Sequence, residues 1–183
     1  MAKAKIAVLV SGGGTNLQAL IDAQAAGLIP NGEITLVLSN RKAAYALERA
    51  KNHGIEGVVL SKYMQPDPEK YDETLLDILQ SRGVEMIALA GFLGILGKRV
   101  LGAYENKIVN IHPALIPSFC GMGFYGLRVH EAVLERGVKV TGATAHLVNG
   151  EVDGGPILLQ KAVEVLPGDT PEVLQRRVNV CVI

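Results

Sequence analysis

Two periods alternate along the chain. Residues 5–10, KIAVLV, form a continuous apolar run that reads as a strand buried on both faces, and the glycines of SGGGTN break it before Leu17, Leu20 and Ile21 open a helical spacing. The same cycle predicts a strand over 34–38, a helix around 43–52, a short strand at 57–60, a helix over 68–81 and a strand over 84–90. Such alternation argues for a mostly parallel sheet covered by helices, the α/β class. Beyond it the pattern gives a short helix at 98–104, strands at 108–111, 143–148 and 157–165, and a helix at 129–136. The last two strands can pair antiparallel around the loop 149–156. Thr170, Pro171 and Glu172 read as a helix start continued by 173–178. No repeat, linker or low-complexity segment divides the chain, so one domain over residues 1–183 is expected.

The strand at 108–111 runs into NIHPALIP, residues 110–117. Side chains alternate along a strand, so Asn110 and His112 should leave the sheet on one face while Ile111 packs on the other. The proline after His112 cannot donate to a central ladder, which places the strand end, and this polar pair, at the rim of the sheet. An amide that donates and an imidazole that donates or exchanges a proton together suit a carbonyl oxygen that becomes negative during attack. Read alone, the two side chains would more readily cap turn backbone.

Composition narrows the partners. A chain of 183 residues, 49% of them hydrophobic, has the length for an ample core. Eighteen basic and eighteen acidic residues leave zero net charge, hence no general attraction for nucleic acid or an anionic membrane. A small-molecule partner is expected, with self-association left open as a homo-oligomer. Cys120 and Cys181 have no metal-ligand spacing, and reduced thiols in a cytoplasmic enzyme are the expectation. The apolar stretch after Lys3 and Lys5 is too short to span a bilayer and lacks a signal-peptide cleavage pattern.

Three loops hold the remaining chemistry. In SGGGTN, glycines let the backbone approach a ligand, and Thr15 and Asn16 open a helix whose free amides favour an anion. The alternative is a tight turn in which Thr15 or Asn16 caps the helix. No lysine follows the last glycine, and Leu17 stands where a dinucleotide fingerprint needs its third glycine, so a phosphate monoester remains as the anion. AGFLGIL, residues 90–96, combines permissive glycines with Phe92, Leu93, Ile95 and Leu96, as an apolar ligand pocket requires and as core packing also would. Asp153 lies in the glycine-rich loop VNGEVDGGPI, where it can orient His112 and favour the imidazolium, or simply form a turn. His53, His130 and His146 read as surface or hydrogen-bonded structural residues, and no zinc motif emerges.

Taken in order and spacing, SGGGTN, AGFLGIL, NIHPALIP and VDGGPI resemble the folate-dependent formyltransferases over nearly the whole chain, and the early glycine turn resembles their phosphoribosylglycinamide formyltransferase branch. The resemblance implies a three-layer Rossmann-like formyltransferase fold with a mostly parallel central sheet. It implies formyl transfer from 10-formyltetrahydrofolate to the amine of glycinamide ribonucleotide in purine biosynthesis, without a metal. Carried onto this sequence, Asn110, His112 and Asp153 match the catalytic trio, and Gly14, Thr15 and Asn16 would hold the substrate phosphate. Phe92, Leu93, Gly94, Ile95 and Leu96, with Leu147, Val148, Asn149, Gly150, Glu151, Val152 and Asp153, would line the folate site.

The chain departs from that pattern in three places. A longer loop, Cys120 to Gly126, replaces the usual proline-glycine-x-histidine segment, and Gly94 stands where an arginine is common. The third departure is the end of the chain, where relatives have a longer helix and an acidic residue near the substrate amine. The domain is therefore expected to be shortened or altered at its C-terminus, and a noncatalytic phosphate-ligand or folate-binding homologue is the competing reading. An amino sugar or charged tRNA as formyl acceptor is disfavoured by SGGGTN and by the lack of an attached recognition domain.

Overall fold

The computed structural model describes residues 2–182, with side chains through residue 180. Cys181 and Ile183, which close the sequence, lie outside the described side chains. The chain divides into two compact units, Met1–Ile108 and Val109–Ile183. No helix among the described residues is long and apolar enough to cross a membrane.

The first unit contains β1 (Ala4–Val10), α1 (Thr15–Ala25), β2 (Gly32–Ser39), α2 (Tyr45–Asn52), β3 (Glu56–Val59), α3 (Pro68–Ser81), β4 (Met86–Leu89) and α4 (Lys98–Ala103). Its strands run parallel in the order β3-β2-β1-β4. Ala7, Val8, Leu9 and Val10 are all fully buried, as a strand covered on both faces must be. Val8 and Val10 pack with Leu17 and Ile21 of α1, Val37 of β2, and Ala46 and Ala50 of α2. Successive strands step outward on one side from β1 to β3, and β4 is then laid on the other side. The chain thus reverses direction at β1, and the crevice beyond the carboxyl ends of β1 and β4 is a topological switch point, where open α/β sheets bind ligands.

Local chemistry explains the helix ends. Asp67 caps α3, its Oδ1 accepting from the amides of Glu69 and Lys70, and Pro68 fills the first position, where a missing N–H costs nothing. Tyr71, Leu75 and Leu79, four apart, form its buried face. Buried Asp72 reaches α4 from the same helix, accepting from the amides of Arg99 at 2.7 Å and Val100 at 3.4 Å. β4 is shorter than its apolar run because the Val84 amide turns back to the Leu79 carbonyl and closes α3.

The second unit contains β5 (Ile108–His112), α5 (Leu127–Arg136), β6 (Val140–Leu147), β7 (Ile157–Glu164) and α6 (Pro171–Val182). β6 pairs antiparallel with β5 on one side and with β7 on the other. Val133, Ala143, Val163, Leu174 and Val178 form its core. Gly137, at φ 72, ends α5 by donating to the carbonyls of Val133 and Leu134. Gly155 lets the 149–156 loop close on β6, since a Cβ there would collide with the Leu147 carbonyl. β7 is an edge strand, and Ile157, Leu158 and Leu159 are all exposed along it.

Candidate active site

In the first unit the glycine turn leaves β1 and enters α1 through Gly14, whose φ of 71 is left-handed. A Cβ at Gly14 would stand 2.7 Å from the Ala46 Cβ, so only glycine fits. α2 pins the turn's carbonyls from behind: Ala46 N–H donates to Gly12 O at 3.1 Å and Arg49 Nε–H to Gly13 O at 2.8 Å. No side chain caps α1, so the first-turn amides at Thr15 and Asn16 keep their capacity for an anion. The capping alternative for Thr15 and Asn16 is therefore not realised. Arg49 was invisible as a site residue in the sequence, because its place behind the turn depends on α2 packing 35 residues downstream. It is held over the Tyr45 ring at 5.0 Å and donates to Gln18 Oε1 at 3.1 Å, leaving a fixed positive charge beside the turn.

The segment after β4 faces the same switch point. Leu93 and Ile95 are exposed, Leu96 is buried, and Phe92 folds its ring across Gly94, where a Cβ would meet the ring Cζ at 2.5 Å. Exposed apolar side chains at a strand's carboxyl end are available to a flat apolar ligand.

The second unit brings Asn110, His112 and Asp153 together. Asp153 is held at φ 55, a left-handed backbone an aspartate tolerates better than a branched residue, and its side chain is only 9% exposed. Its Oδ2 lies 3.5 Å from His112 Nδ1 and accepts the Gly121 N–H at 2.9 Å. Its Oδ1 accepts from Asn110 Nδ2 at 3.5 Å. His112 Nε2–H donates to the Phe119 carbonyl at 2.8 Å, so the Nδ1 contact with the carboxylate is attractive when the ring is an imidazolium. Burial alone would raise the Asp153 pKa, but the His146 hydrogen bond, the Gly121 amide and the charges of His112 and His146 outweigh it and hold the carboxyl below its ordinary range.

His146, read from the sequence as a surface or hydrogen-bonded structural residue, is buried and hydrogen-bonded beside these three side chains. It stands directly opposite Asn110 in the β5–β6 ladder, 3.1 Å from Asn110 Nδ2 and 3.6 Å from Asp153 Oδ1. Its Nδ1–H donates to the Leu147 carbonyl at 2.9 Å, so neutral His146 accepts from Asn110 through Nε2, whereas protonated His146 donates to Asp153. Burial disfavours its charge, yet Asp153 and the Leu147 carbonyl prevail and its pKa is raised. Thr144, two residues earlier and opposite His112, fixes the segment after β5 by donating to Ala114 O at 2.7 Å and accepting the Ile116 N–H at 3.1 Å.

His130 departs from expectation: it is fully buried on α5 with neither ring nitrogen hydrogen-bonded. In the 147–153 loop, Asn149 accepts the Glu151 amide at 2.9 Å in a local turn, and Val152 is 51% exposed. Leu147, Val148 and Gly150 complete that loop. Among the described residues no group of three or more His, Cys, Asp or Glu side chains is arranged to hold a metal ion.

Known proteins resemble this chain over most of its length. The Formyl transferase family profile matches residues 4–181. The chloroplastic phosphoribosylglycinamide formyltransferase of Arabidopsis thaliana is 42% identical over 175 residues, 95% of this chain and 60% of that protein. The trifunctional purine biosynthetic protein adenosine-3 of Gallus gallus is 43% identical over 97% of this chain, which spans only 17% of its length. The crystal structure of glycinamide ribonucleotide transformylase 1 from Symbiobacterium toebii superposes with a TM-score of 0.90 at 43% identity, over 97% of this chain and 81% of that one. That match extends the α/β fold with its mostly parallel sheet to nearly the whole chain, which belongs to the formyl transferase family.

Proposed function

We propose that the protein transfers the formyl group of 10-formyltetrahydrofolate to the primary amine of glycinamide ribonucleotide, a step of purine biosynthesis. The observation that supports this most is the convergence of Asn110, His112 and Asp153 within hydrogen-bonding range in a chain so similar to enzymes of that name. On this reading Gly14, Thr15 and Asn16 hold the substrate phosphate through backbone amides. Residues 92–96 and 147–153 receive the folate. On the same reading, residues 1–183 are one formyltransferase domain. The free thiol of Cys120 suits a reducing compartment such as the cytoplasm.

The neutral substrate amine attacks the formyl carbon, and the formyl oxygen takes up the electron pair. Asn110 turns the amide hydrogen it now gives to Asp153 Oδ1 at 3.5 Å onto that oxyanion, and His112 donates through its ring. For His112 Nε2 to do so, the Phe119 carbonyl that now occupies it has to yield its place. Asp153 keeps the imidazolium oriented. Collapse restores the carbonyl and breaks the bond to the folate N10, while the proton lost by the amine passes to N10, directly or through His112. Neither a covalent enzyme intermediate nor a metal is required by this route.

Formyl transfer measured with both substrates tests the reading. Asn110→Ala and His112→Ala are each expected to lower kcat about a hundredfold or more with folding preserved. A folded wild-type chain that binds both ligands without turnover would instead be a noncatalytic homologue.

A further inference from the structure

Ser11 is the last residue before the glycine turn, and its side chain is 2% exposed at the carboxyl end of β1. Its Oγ accepts the backbone N–H of Leu93 at 2.8 Å, joining the turn after β1 to the segment after β4 across the switch point. Among the described residues no other hydrogen bond links residues 11–16 to residues 91–96, and the hydroxyl proton of Ser11 has no acceptor. Open space surrounds both segments on the ligand side of this bond: a Cβ at Gly12, Gly13 or Gly91 would meet nothing within 4 Å.

We propose that Ser11 is a positioning residue that couples these two segments, so that a phosphate monoester on the turn and a folate on the segment after β4 strengthen each other's binding. The inference rests on the formyl-transfer reading for the identity of both ligands. Drawing the Gly14, Thr15 and Asn16 amides onto an anion pulls on the chain that leads back to Ser11, and the Leu93 amide follows because the buried Ser11 hydroxyl holds it at 2.8 Å. Each ligand then selects the segment position that suits the other, and coupling must be reciprocal.

Tetrahydrofolate, which has no formyl group to give, is titrated into the full chain with and without glycinamide ribonucleotide. The wild type is expected to bind tetrahydrofolate at least about fivefold more tightly when the ribonucleotide is present. In Ser11→Ala that ratio falls towards one, while Ser11→Thr, which keeps the hydroxyl, restores it. If Ser11→Ala melts too early to titrate, Ser11→Cys, of similar size but a poor acceptor, carries the same expectation. Equal ratios in wild type and variant, or no enhancement in the wild type, overturn the coupling and leave the formyl-transfer reading standing. A wild-type chain that binds neither ligand overturns both.

Discussion

A histidine with no partner on either nitrogen, as His130 is, ties stability to pH. Burial, and then the nearby charge of His112, push its pKa down from 6.5 to about 4. Above pH 6.5 it is neutral both folded and unfolded. Between 6.5 and about 4 the unfolded chain takes up a proton that the folded chain refuses, so stability falls as pH falls through that window. The loss is on the order of 3 kcal/mol. His130→Leu should flatten the difference in unfolding free energy between pH 6.5 and 4.5, measured by urea denaturation; an unchanged slope would refute the assignment. His146 acts in the opposite sense, since its raised pKa adds stability below pH 6.5 that is lost as pH rises through the folded value. At this scale strand alternation could pair Asn110 with His112 and a glycine-rich loop could offer Asp153, but only the resemblance to formyltransferases joined the three in the sequence. His146 was not legible there, because its membership follows from the β5–β6 register, in which Thr144 and His146 repeat the spacing of His112 and Asn110 from the facing strand.

Among the elements, the turn between β1 and α1 is the most constrained. Gly14 combines a left-handed φ with Ala46 packed against the space a Cβ would take. Gly14→Ala therefore distorts the turn, costing about 1–2 kcal/mol for the backbone alone, with crowding against α2 in addition. If the turn's amides hold the phosphate as proposed, the KM for glycinamide ribonucleotide should rise tenfold or more, with a smaller change for the folate; steady-state kinetics against each substrate separates the two. Most elements could be read from period and punctuation, and α3 runs from Pro68 to Ser81 as its cap and apolar face require. β6 begins at Val140, three residues before the start expected at 143, and so takes in Gly142. In the fold, glycine there is what permits β7 to lie close, since a Cβ would collide with the Lys161 carbonyl. Interactions such as Asp72 on α4 and Arg49 on the turn join residues far apart in sequence and carry no local signal.

For the whole molecule, strand–helix alternation was enough to give the α/β class, because a parallel strand needs a crossover and the crossover helix shows its own period. The antiparallel end was foreseen only for β6 and β7, where a single loop joins neighbouring strands. Zero net charge, useful for excluding polyanionic partners, also removes the long-range repulsion that keeps copies of a protein apart. The outer edge of β7 matters in that light. Ile157, Leu158 and Leu159 lie on a strand with one ladder open, and their exposures reach 54% and 68% at Leu158 and Leu159. Concentrated solutions should therefore turn cloudy by edge-to-edge strand addition, fastest near the isoelectric pH of about 6.9. Light scattering followed over days would register it, and Leu159→Lys, placing a charge on that rim, should lengthen the storage life of the protein without touching its turnover.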